Sequence, residues 1–271
     1  DSLHNNIMST KAKVDEKESK KQDIMLEIST TKQTLGQMDN EIQLKRQEIE
    51  GLRSRHKLLE DMQKGYEGYN KSVKDILRAC KSNQDMAKRV QGTLASLIDV
   101  PKKYELAIET VLGQSLQHIV TDQEEDAKYL IDYLKKNKLG RATFLPISSI
   151  RPRTLNKKEE GVLKYKGCHG LASEFIKCDK KYKDIVDNLL GRVIIADDLE
   201  EAIRMARDHS HTFRIVTLGG DLINPGGSMT GGSKAVKGIS LLGRKRELNE
   251  LTSKIKDETS KLKSILVKQE S

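Results

Sequence analysis

The side chains best suited to acid–base or metal chemistry are few in this chain and stand in short pairs. They are Cys168 with His169, His209 with His211, Asp197 with Asp198, and Glu200 with Glu201. Each pair has an ordinary structural explanation: Asp198 is a candidate helix N-cap whose capping box Glu201 would close, and the histidines suit packing or surface positions. No nucleophile, base and orienting group can be assigned together. The sequence therefore predicts no catalytic residue, no metal site and no cofactor.

The three cysteines, Cys80, Cys168 and Cys178, are an odd number without C-x-x-C spacing. This pattern indicates reduced thiols rather than a disulfide framework or a zinc ribbon. No apolar run reaches about 18 residues, and no N-terminal segment has the charged-then-apolar pattern of a signal peptide. We therefore expect a soluble, intracellular protein.

A glycine-rich segment at residues 219–232, GGDLINPGGSMTGG, is the most unusual stretch of the chain. It has three interpretations. It could be a flexible linker, or a backbone that approaches another backbone closely or takes positive φ angles, which glycine does at low cost. A phosphate-binding loop is excluded, because the pattern G-x-x-x-x-G-K-[ST] is absent.

Basic residues concentrate in the middle of the chain, since residues 64–239 hold +7 of the total net charge of +9. The first cluster is Lys135, Lys136, Lys138 and Arg141. The second begins with Arg151, Arg153, Lys157 and Lys158, and continues through Lys164, Lys166, Lys177, Lys180, Lys181 and Lys183. A solvated surface and a DNA-binding surface explain these clusters equally well, since lysine and arginine can bind the phosphate backbone without base contacts.

Residues 1–63 have the seven-residue repeat of a coiled coil. Eleven of its seventeen core positions are apolar, and Lys17, Lys21 and Lys45 weaken it. One row is Ile7, Val14, Lys21, Ile28, Leu35, Ile42, Ile49 and His56, and the other is Leu3, Thr10, Lys17, Ile24, Thr31, Met38, Lys45, Leu52 and Leu59. A helix on a membrane surface is disfavoured, because 11 basic and 12 acidic residues leave no cationic face.

Residues 240–271 repeat the pattern, with Arg244 and Glu258 as interruptions. The rows are Leu241, Leu248, Ile255 and Leu262, and Leu251 with Ile265. Neither arm would be stable alone in water. We therefore expect an antiparallel coiled coil within one chain, with Ile42 and Ile49, or Leu52 and Leu59, facing Leu241, Leu248 and Leu251. No stop signal ends either arm, which predicts a fragment of a longer coiled coil.

Between the arms, residues 64–239 predict a mixed α/β globule, because glycines separate short segments of different periodicity. Helical patterns fit Tyr69–Lys81, Lys102–Leu112, Glu124–Lys136, Lys180–Leu190 and Asp198–His209. Strand patterns fit Leu116–Thr121, Ala142–Ile147, Arg192–Ala196 and Phe213–Leu218.

The globule contains an internal repeat. Residues 92–113 match residues 170–191 at a constant offset of 78, with seven identities. These are Gly92/Gly170, Ile98/Ile176, Lys102/Lys180, Lys103/Lys181, Tyr104/Tyr182, Leu112/Leu190 and Gly113/Gly191. The match continues through Asp122/Asp197, Glu125/Glu200 and Ala127/Ala202 to Arg141/Arg214. It predicts two related lobes, at about residues 90–150 and 168–232.

Four segments together resemble the hinge domain of SMC (structural maintenance of chromosomes) proteins, of the bacterial type. They are GDLINPGGSMTGG at 220–232, KNKLGRATFLPI at 136–147, KYELAIETVLGQSLQHIV at 103–120 and GLASEF at 170–175. The resemblance covers about residues 65–235, and the arms match that family's antiparallel coiled coil.

The resemblance implies that two hinges associate and join two coiled-coil arms. It places the contact between hinges at the glycine motif, here Gly220, Gly226, Gly227, Ser228, Met229, Gly231 and Gly232. It also raises the expectation of weak, sequence-independent DNA binding by Lys135, Lys136, Lys138, Arg141, Arg151, Arg153, Lys157 and Lys158.

In the full-length family the ATPase head and a kleisin partner lie at distant termini, so this part should not hydrolyse ATP, and the protein should act in the cytoplasm on the nucleoid. Two other hypotheses stay open. One is a nucleic-acid-binding module whose dimerisation is incidental, and the other is an enzyme domain inserted into a coiled coil.

Overall fold

The structure, a computed structural model, describes residues 2–232 and 240–270. The chain divides into two compact units: one holds the residues up to Leu58 and from Glu250 onward, and the other holds Leu59–Asn249. No helix among the described residues is long and apolar enough to cross a membrane. The predicted domain limits at residues 64 and 239 stay predictions, the second because residues 233–239 lie outside the described ranges.

Helices and short strands are interspersed along the described chain. The α-helices are α1 (Ser2–Lys64), α2 (Lys71–Ser82), α3 (Gln84–Arg89), α4 (Leu94–Leu97), α5 (Glu105–Leu112), α6 (Glu124–Lys136), α7 (Lys183–Leu190), α8 (Leu199–Asp208) and α9 (Leu241–Glu270). The strands are β1 (Gly92–Thr93), β2 (Ile98–Asp99), β3 (Ile119–Thr121), β4 (Phe144–Pro146), β5 (Cys168–Leu171), β6 (Lys177–Cys178), β7 (Val193–Ala196), β8 (Arg214–Thr217), β9 (Leu222–Ile223) and β10 (Met229–Thr230). The mixed α/β fold class is confirmed.

The first unit pairs α1 with α9 in antiparallel directions. Three side-chain contacts show the direction: Asp39 Oδ1 with Gln269 Nε2 at 2.6 Å, Lys45 Nζ with Glu258 Oε2 at 2.5 Å, and His56 Nε2 with Thr252 Oγ1 at 3.2 Å. Later positions on α1 meet earlier positions on α9. The predicted intrachain antiparallel coiled coil is confirmed.

Two residues that interrupt the heptad patterns, Lys45 and Glu258, contact each other. The hydrogen bonds that the Lys45 ammonium donates to Glu258 and Glu48 raise its pKa. Those from Lys261 and then Lys45 lower the pKa of the Glu258 carboxyl. Each interruption is therefore compensated by the other helix, beside the buried Ile42, Ile49 and Leu251.

One expected seam residue belongs elsewhere. Leu241, which the heptad assigns to the coiled coil, packs with Leu242 against the core of the second unit. The reason is that the first turn of α9 still lies within that unit, and its apolar side chains meet the globular core rather than the arm.

The second unit contains two lobes, each with its own sheet. The first sheet has the order β1-β3-β4, and the second has the order β10-β9-β8-β7-β5. In each lobe two parallel strands are joined by an amphipathic helix, α6 between β3 and β4 and α8 between β7 and β8. The predicted pair of pseudo-repeated lobes is confirmed.

The strand registers correct one expected equivalence. Val120 pairs with Leu145 in the first lobe, and the equivalent Ile195 pairs with Val216 in the second. Leu145 therefore corresponds to Val216, and Arg141 is not the counterpart of Arg214, because the connection after α6 differs in length from that after α8.

The lobes meet at a two-stranded ladder and a shared core. β2 pairs with β6 so that Asp99 lies opposite Lys177, and these two residues occupy equivalent positions in the repeat. The shared core packs α5 against α7 through buried side chains such as Ile108, Leu112 and Ile185. Each lobe also has its own core under α6 or α8.

The helix α8 begins as the sequence indicates, with one difference. Asp198 accepts a hydrogen bond from the Glu201 N–H at 3.0 Å, so it is the N-cap. The expected capping box is wrong, because the Glu201 carboxylate binds Arg204 within the same helix instead.

Candidate dimerisation edge and basic surfaces

The glycine-rich segment forms a hairpin at the edge of the second sheet. β9 pairs with β8 and β10 pairs with β9, so that β10 forms one of the two edges of this sheet, with β5 at the other. The turn between them is of type II: Gly227 N–H donates to Asn224 O at 3.0 Å, Pro225 comes second, and Gly226 has φ +83° in third place. We call residues 222–230 the hairpin edge. The flexible-linker interpretation is wrong for this stretch.

Besides Gly226 in the turn, the structure gives reasons within the chain for two more glycines of the motif. A Cβ on Gly231 would lie 2.4 Å from Asp221 Oδ1, and one on Gly220, which has φ +87°, would lie 3.2 Å from Leu106. Both needs are local to one chain. They do not require a partner backbone, and the assignment of the motif to a dimer contact stays a prediction.

The outer strand of the hairpin edge is exposed. Met229 has 52% of its surface exposed, and Ser228, Thr230, Gly231 and Gly232 are exposed as well. Exposed strands with apolar side chains are templates for pairing with another strand. The sheet of the first lobe has β1 at one edge and β4 at the other, and in β4 Leu145 is buried and Pro146 is half-buried. β4 corresponds to β8, which the hairpin covers in the second lobe.

The first basic cluster surrounds the end of α6. Lys135, Lys136, Lys138 and Arg141 are all exposed. Lys138 has φ +54°, and Leu139 N–H donates to Leu134 O at 3.0 Å, which closes the helix. Cations at a helix C-terminus also stabilise the helix dipole, so these lysines have a structural role besides any binding. We call these four residues the α6 cluster.

The first four residues of the second cluster lie on a segment held against the second lobe. Arg151, Arg153, Lys157 and Lys158 are exposed. The backbone beneath them is fixed: Asn188 Nδ2 donates to Arg151 O at 2.6 Å, and Arg192 donates to Thr154 O at 3.1 Å. The structure thus places these four residues against the second lobe and the α6 cluster on the first, whereas Lys181 of the second predicted cluster pairs with Asp122 of the first lobe at 2.9 Å.

Arg192, which sequence reasoning did not single out, forms a two-bonded pair with the buried Glu159, at 2.9 and 2.7 Å. Burial acts to raise the pKa of the Glu159 carboxyl. Hydrogen bonds from Arg192, from Asn156 and from Thr212 outweigh it, and the pKa lies below its usual value. The only signal for Arg192 was its place directly after Gly191, at the end of the repeat.

A basic run at the start of α9 is used inside the molecule. The buried Arg244 donates to Met62 O and Glu67 O, at 3.3 and 2.8 Å, and so caps the end of α1. Lys245 pairs with Asp99 at 2.7 Å, and Arg246 binds Glu105 at 3.1 Å. These three cations are anchors rather than a free basic surface.

The histidine and cysteine pairs have packing roles. His169 Nε2 lies 2.7 Å from Asp197 Oδ1, and the His209 ring packs between Tyr165 and Phe213. Burial raises the pKa of the Cys80, Cys168 and Cys178 thiols, which makes them poorer nucleophiles. Among the described residues, no group of three or more His, Cys, Asp and Glu is arranged to hold a metal ion.

Comparison with known proteins agrees with this architecture. Residues 87–206 match the family described as the SMC proteins flexible hinge domain. The chromosome partition protein Smc of Bacillus subtilis is 44% identical over 210 residues, which are 77% of this chain and 17% of that protein. The Smc of Clostridium kluyveri is 37% identical over 94% of this chain and 21% of its own length. The chain thus spans about a fifth or less of these relatives.

Solved structures match over most of their length. The Geobacillus stearothermophilus SMC hinge domain, an asymmetric dimer, has a TM-score of 0.80 and 37% identity, covering 89% of this chain and 96% of that one. The Pyrococcus furiosus Smc hinge with an extended coiled coil has a TM-score of 0.50 and 27% identity, covering 95% and 90%. The two pseudo-repeated lobes, the glycine hairpin and the antiparallel arms are therefore those of a bacterial SMC hinge domain with its adjoining coiled coil, and the chain belongs to that family.

Proposed function

We propose that this chain is the homodimerisation hinge of a chromosome-organising SMC ATPase and joins two coiled-coil arms in chromosome condensation and segregation. The observation that carries the proposal is the pair of unlike sheet edges, with the exposed hairpin edge on one lobe and β4 on the other. In a twofold dimer each copy would offer its hairpin edge to β4 of the other, which forms two equivalent contacts. The Geobacillus stearothermophilus hinge is a dimer.

The rest of the full-length function follows from the same proposal. ATP hydrolysis and kleisin binding belong to the heads of the longer protein, and the hinge itself carries out no catalysis. The protein acts in the cytoplasm on the nucleoid.

Molecular mass in solution tests the dimer. Met229→Asp places a charge on the outer strand, and we expect the dimer dissociation constant to rise at least about tenfold, or about 1.4 kcal/mol. Met25→Asp is the matched control, because Met25 is 61% exposed and lies on α1. If the Met229 variant stays as dimeric as the control, the hairpin edge is not the interface.

Substitution of the glycines is the weaker test. Larger residues at Gly231 would clash with Asp221 inside the same chain. A monomer produced that way could reflect a distorted hairpin rather than a lost contact.

The second candidate function is weak, sequence-independent DNA binding, supported by the exposure of the α6 cluster and of Arg151, Arg153, Lys157 and Lys158. With about four phosphates neutralised, the logarithm of the binding constant should fall against the logarithm of salt with a slope near −3.6. The triple variant that changes Lys135, Lys136 and Lys138 to Glu should bind every duplex more weakly and have a flatter slope. Its molecular mass in solution should stay that of the dimer.

Changing the exposed Lys11, Lys13 and Lys17 of α1 to Glu removes the same charge elsewhere and is the control. If both triple variants bind DNA with equal affinity, the α6 cluster is a solvated surface and not a DNA-binding site.

A further inference from the structure

A cleft of about 310 Å³ opens beside the hairpin turn in the second lobe. Its polar and turn-forming walls are Arg153, Asn188, Arg192, Thr212, Arg214 and Pro225. None of its lining residues is an aspartate or a glutamate. Three arginines therefore line one cleft that has no acidic residue on its walls.

Two of the three arginines are available to bind a ligand, because their side chains have no partner among the described residues. Arg192 is satisfied by Glu159 and by backbone carbonyls. Arg153 and Arg214 are exposed, and their side chains form no ion pair or hydrogen bond with any described residue. The cleft is thus lined by one arginine that Glu159 neutralises and by two arginines without a partner among the described residues.

The backbones that carry the two free arginines are fixed. Arg153 N–H donates to Asp187 O at 3.3 Å, and its carbonyl passes so close to Gly191 that a Cβ there would lie 1.9 Å away. Arg214 begins β8 and pairs with Val193 in the sheet. A fixed scaffold lowers the entropy cost of binding, because little backbone must be ordered by the ligand.

The chemistry of the cleft selects phosphate rather than a base or an apolar group. A guanidinium group matches phosphate oxygens with two parallel hydrogen bonds. The aromatic ring on the cleft, Phe213, is only 2% exposed and offers no stacking face. The exposed Arg151, Lys157 and Lys158 continue along the same segment, as a polymer with repeated phosphates requires.

We propose that this arginine cleft binds the phosphodiester backbone of duplex DNA, with Arg153 and Arg214 as the residues that contact phosphate. The proposal rests on the proposed DNA-binding function and adds to it a residue, Arg214, outside the predicted clusters. Because the contacts go to phosphate, the cleft contributes affinity without sequence preference.

Fluorescence anisotropy with a labelled duplex at several salt concentrations tests the cleft in the whole chain. The variant Arg153→Gln with Arg214→Gln should bind about tenfold more weakly, and its salt slope should be shallower by about 1.8, the value for two lost phosphate contacts. The control Arg78→Gln with Arg207→Gln removes two exposed arginines from α2 and α8. It should change the affinity less than about twofold and keep the slope.

The outcomes are distinguishable. If the wild-type chain binds no duplex at low salt, the DNA-binding function and the cleft proposal both fail. If the wild type binds and the two double variants behave alike, only the cleft proposal fails. If the wild-type chain binds inorganic pyrophosphate, and the cleft variant loses that binding but binds duplex DNA as before, the cleft is a site for free phosphate and the proposal is overturned. Loss of the dimer mass in the cleft variant would assign these arginines to the partner contact instead.

Discussion

The two lobes of the hinge are built from one plan and differ where they meet the surroundings. Both place a helix between two parallel strands, and both turn at a glycine after the shared-core helix, Gly113 after α5 and Gly191 after α7. The residue that follows is Gln114 in one lobe and Arg192 in the other. Gln114 accepts hydrogen bonds from Asn70 and Gln117, whereas Arg192 pairs with Glu159. The first lobe uses neutral amides where the second uses buried charge.

The sheet edges differ in the same way. The first lobe ends at β4, and the second adds the hairpin edge beyond the equivalent strand β8. A repeat with equal edges would present the same surface twice. The added hairpin makes the two edges unlike, so that one can serve as the partner of the other. The two lobes therefore share the arrangement of their buried cores and differ at their sheet edges.

The largest expected effect is a difference in stability between alanine substitutions at the equivalent glycines Gly191 and Gly113. Gly191→Ala would set a Cβ 1.9 Å from Arg153 O and 2.5 Å from Asp187 O, both backbone atoms, and should lower the free energy of unfolding by about 3 kcal/mol or more. Gly113 has φ +45° with no atom near its absent Cβ, so Gly113→Ala should cost only the backbone strain, about 1–2 kcal/mol. Urea unfolding of both variants measures the difference, and a larger loss for Gly113 would contradict it.

Acid should weaken the second lobe before the first. The folded pKa of Glu159 lies below its usual 4.5, so its pair with Arg192 stabilises the fold above that pH and is lost as the pH falls through the folded value. We expect a loss of about 1.5–3 kcal/mol of local stability, seen as faster amide hydrogen exchange in β7 and β8 than in β3.

Glu159→Gln is the control for the acid effect. It should destabilise the second lobe at neutral pH and remove the difference between neutral and acidic exchange. Equal acid sensitivity of β3 and β7 in the unaltered chain would show that the pair does not set the difference between the lobes.

The smallest expected effect concerns the ends of α6 and α8. Lys138 and Ser210 both follow a helix with φ near +54° and +53°, where glycine is usual. Lys138→Gly should raise the free energy of unfolding by about 0.5–1 kcal/mol, and Ser210→Gly by a similar amount. Thermal unfolding measures both, and only Lys138→Gly should also weaken DNA binding. A destabilised Lys138 variant would mean that its side chain packs more than its exposure indicates.

Periodicity predicted the longer elements of this molecule well. Glu124–Lys136 is both the predicted and the observed α6, because its buried Ala127, Leu130 and Leu134 return every three or four residues. The strands β1, β2, β6, β9 and β10 have two residues each and cannot show alternation. Their existence depends on tertiary pairing, and so the hairpin edge was indicated only by its glycines and by family resemblance.

The charged residues show a second reason why parts of the structure could not be predicted from the sequence. Lys45 and Glu258 each weaken a heptad pattern when one helix is considered alone, and they become favourable only as a pair. Arg244, Lys245 and Arg246 are consecutive basic residues, of which Arg244 interrupts the heptad pattern, and all three are bound within the fold. A charge's role depends on what lies across from it in space.

The ladder between β2 and β6 shows which side chains two identical lobes could not place opposite each other. In a symmetric pair of separate, identical lobes, a residue lying opposite its own equivalent would face a copy of itself, and any charge there would repel itself. Asp99 and Lys177 hold those equivalent positions with opposite signs. Only a chain that encodes each lobe separately can place an acid against a base there. A chain that contains both lobes therefore has a choice of side chains at this position that a self-associating single lobe would not have.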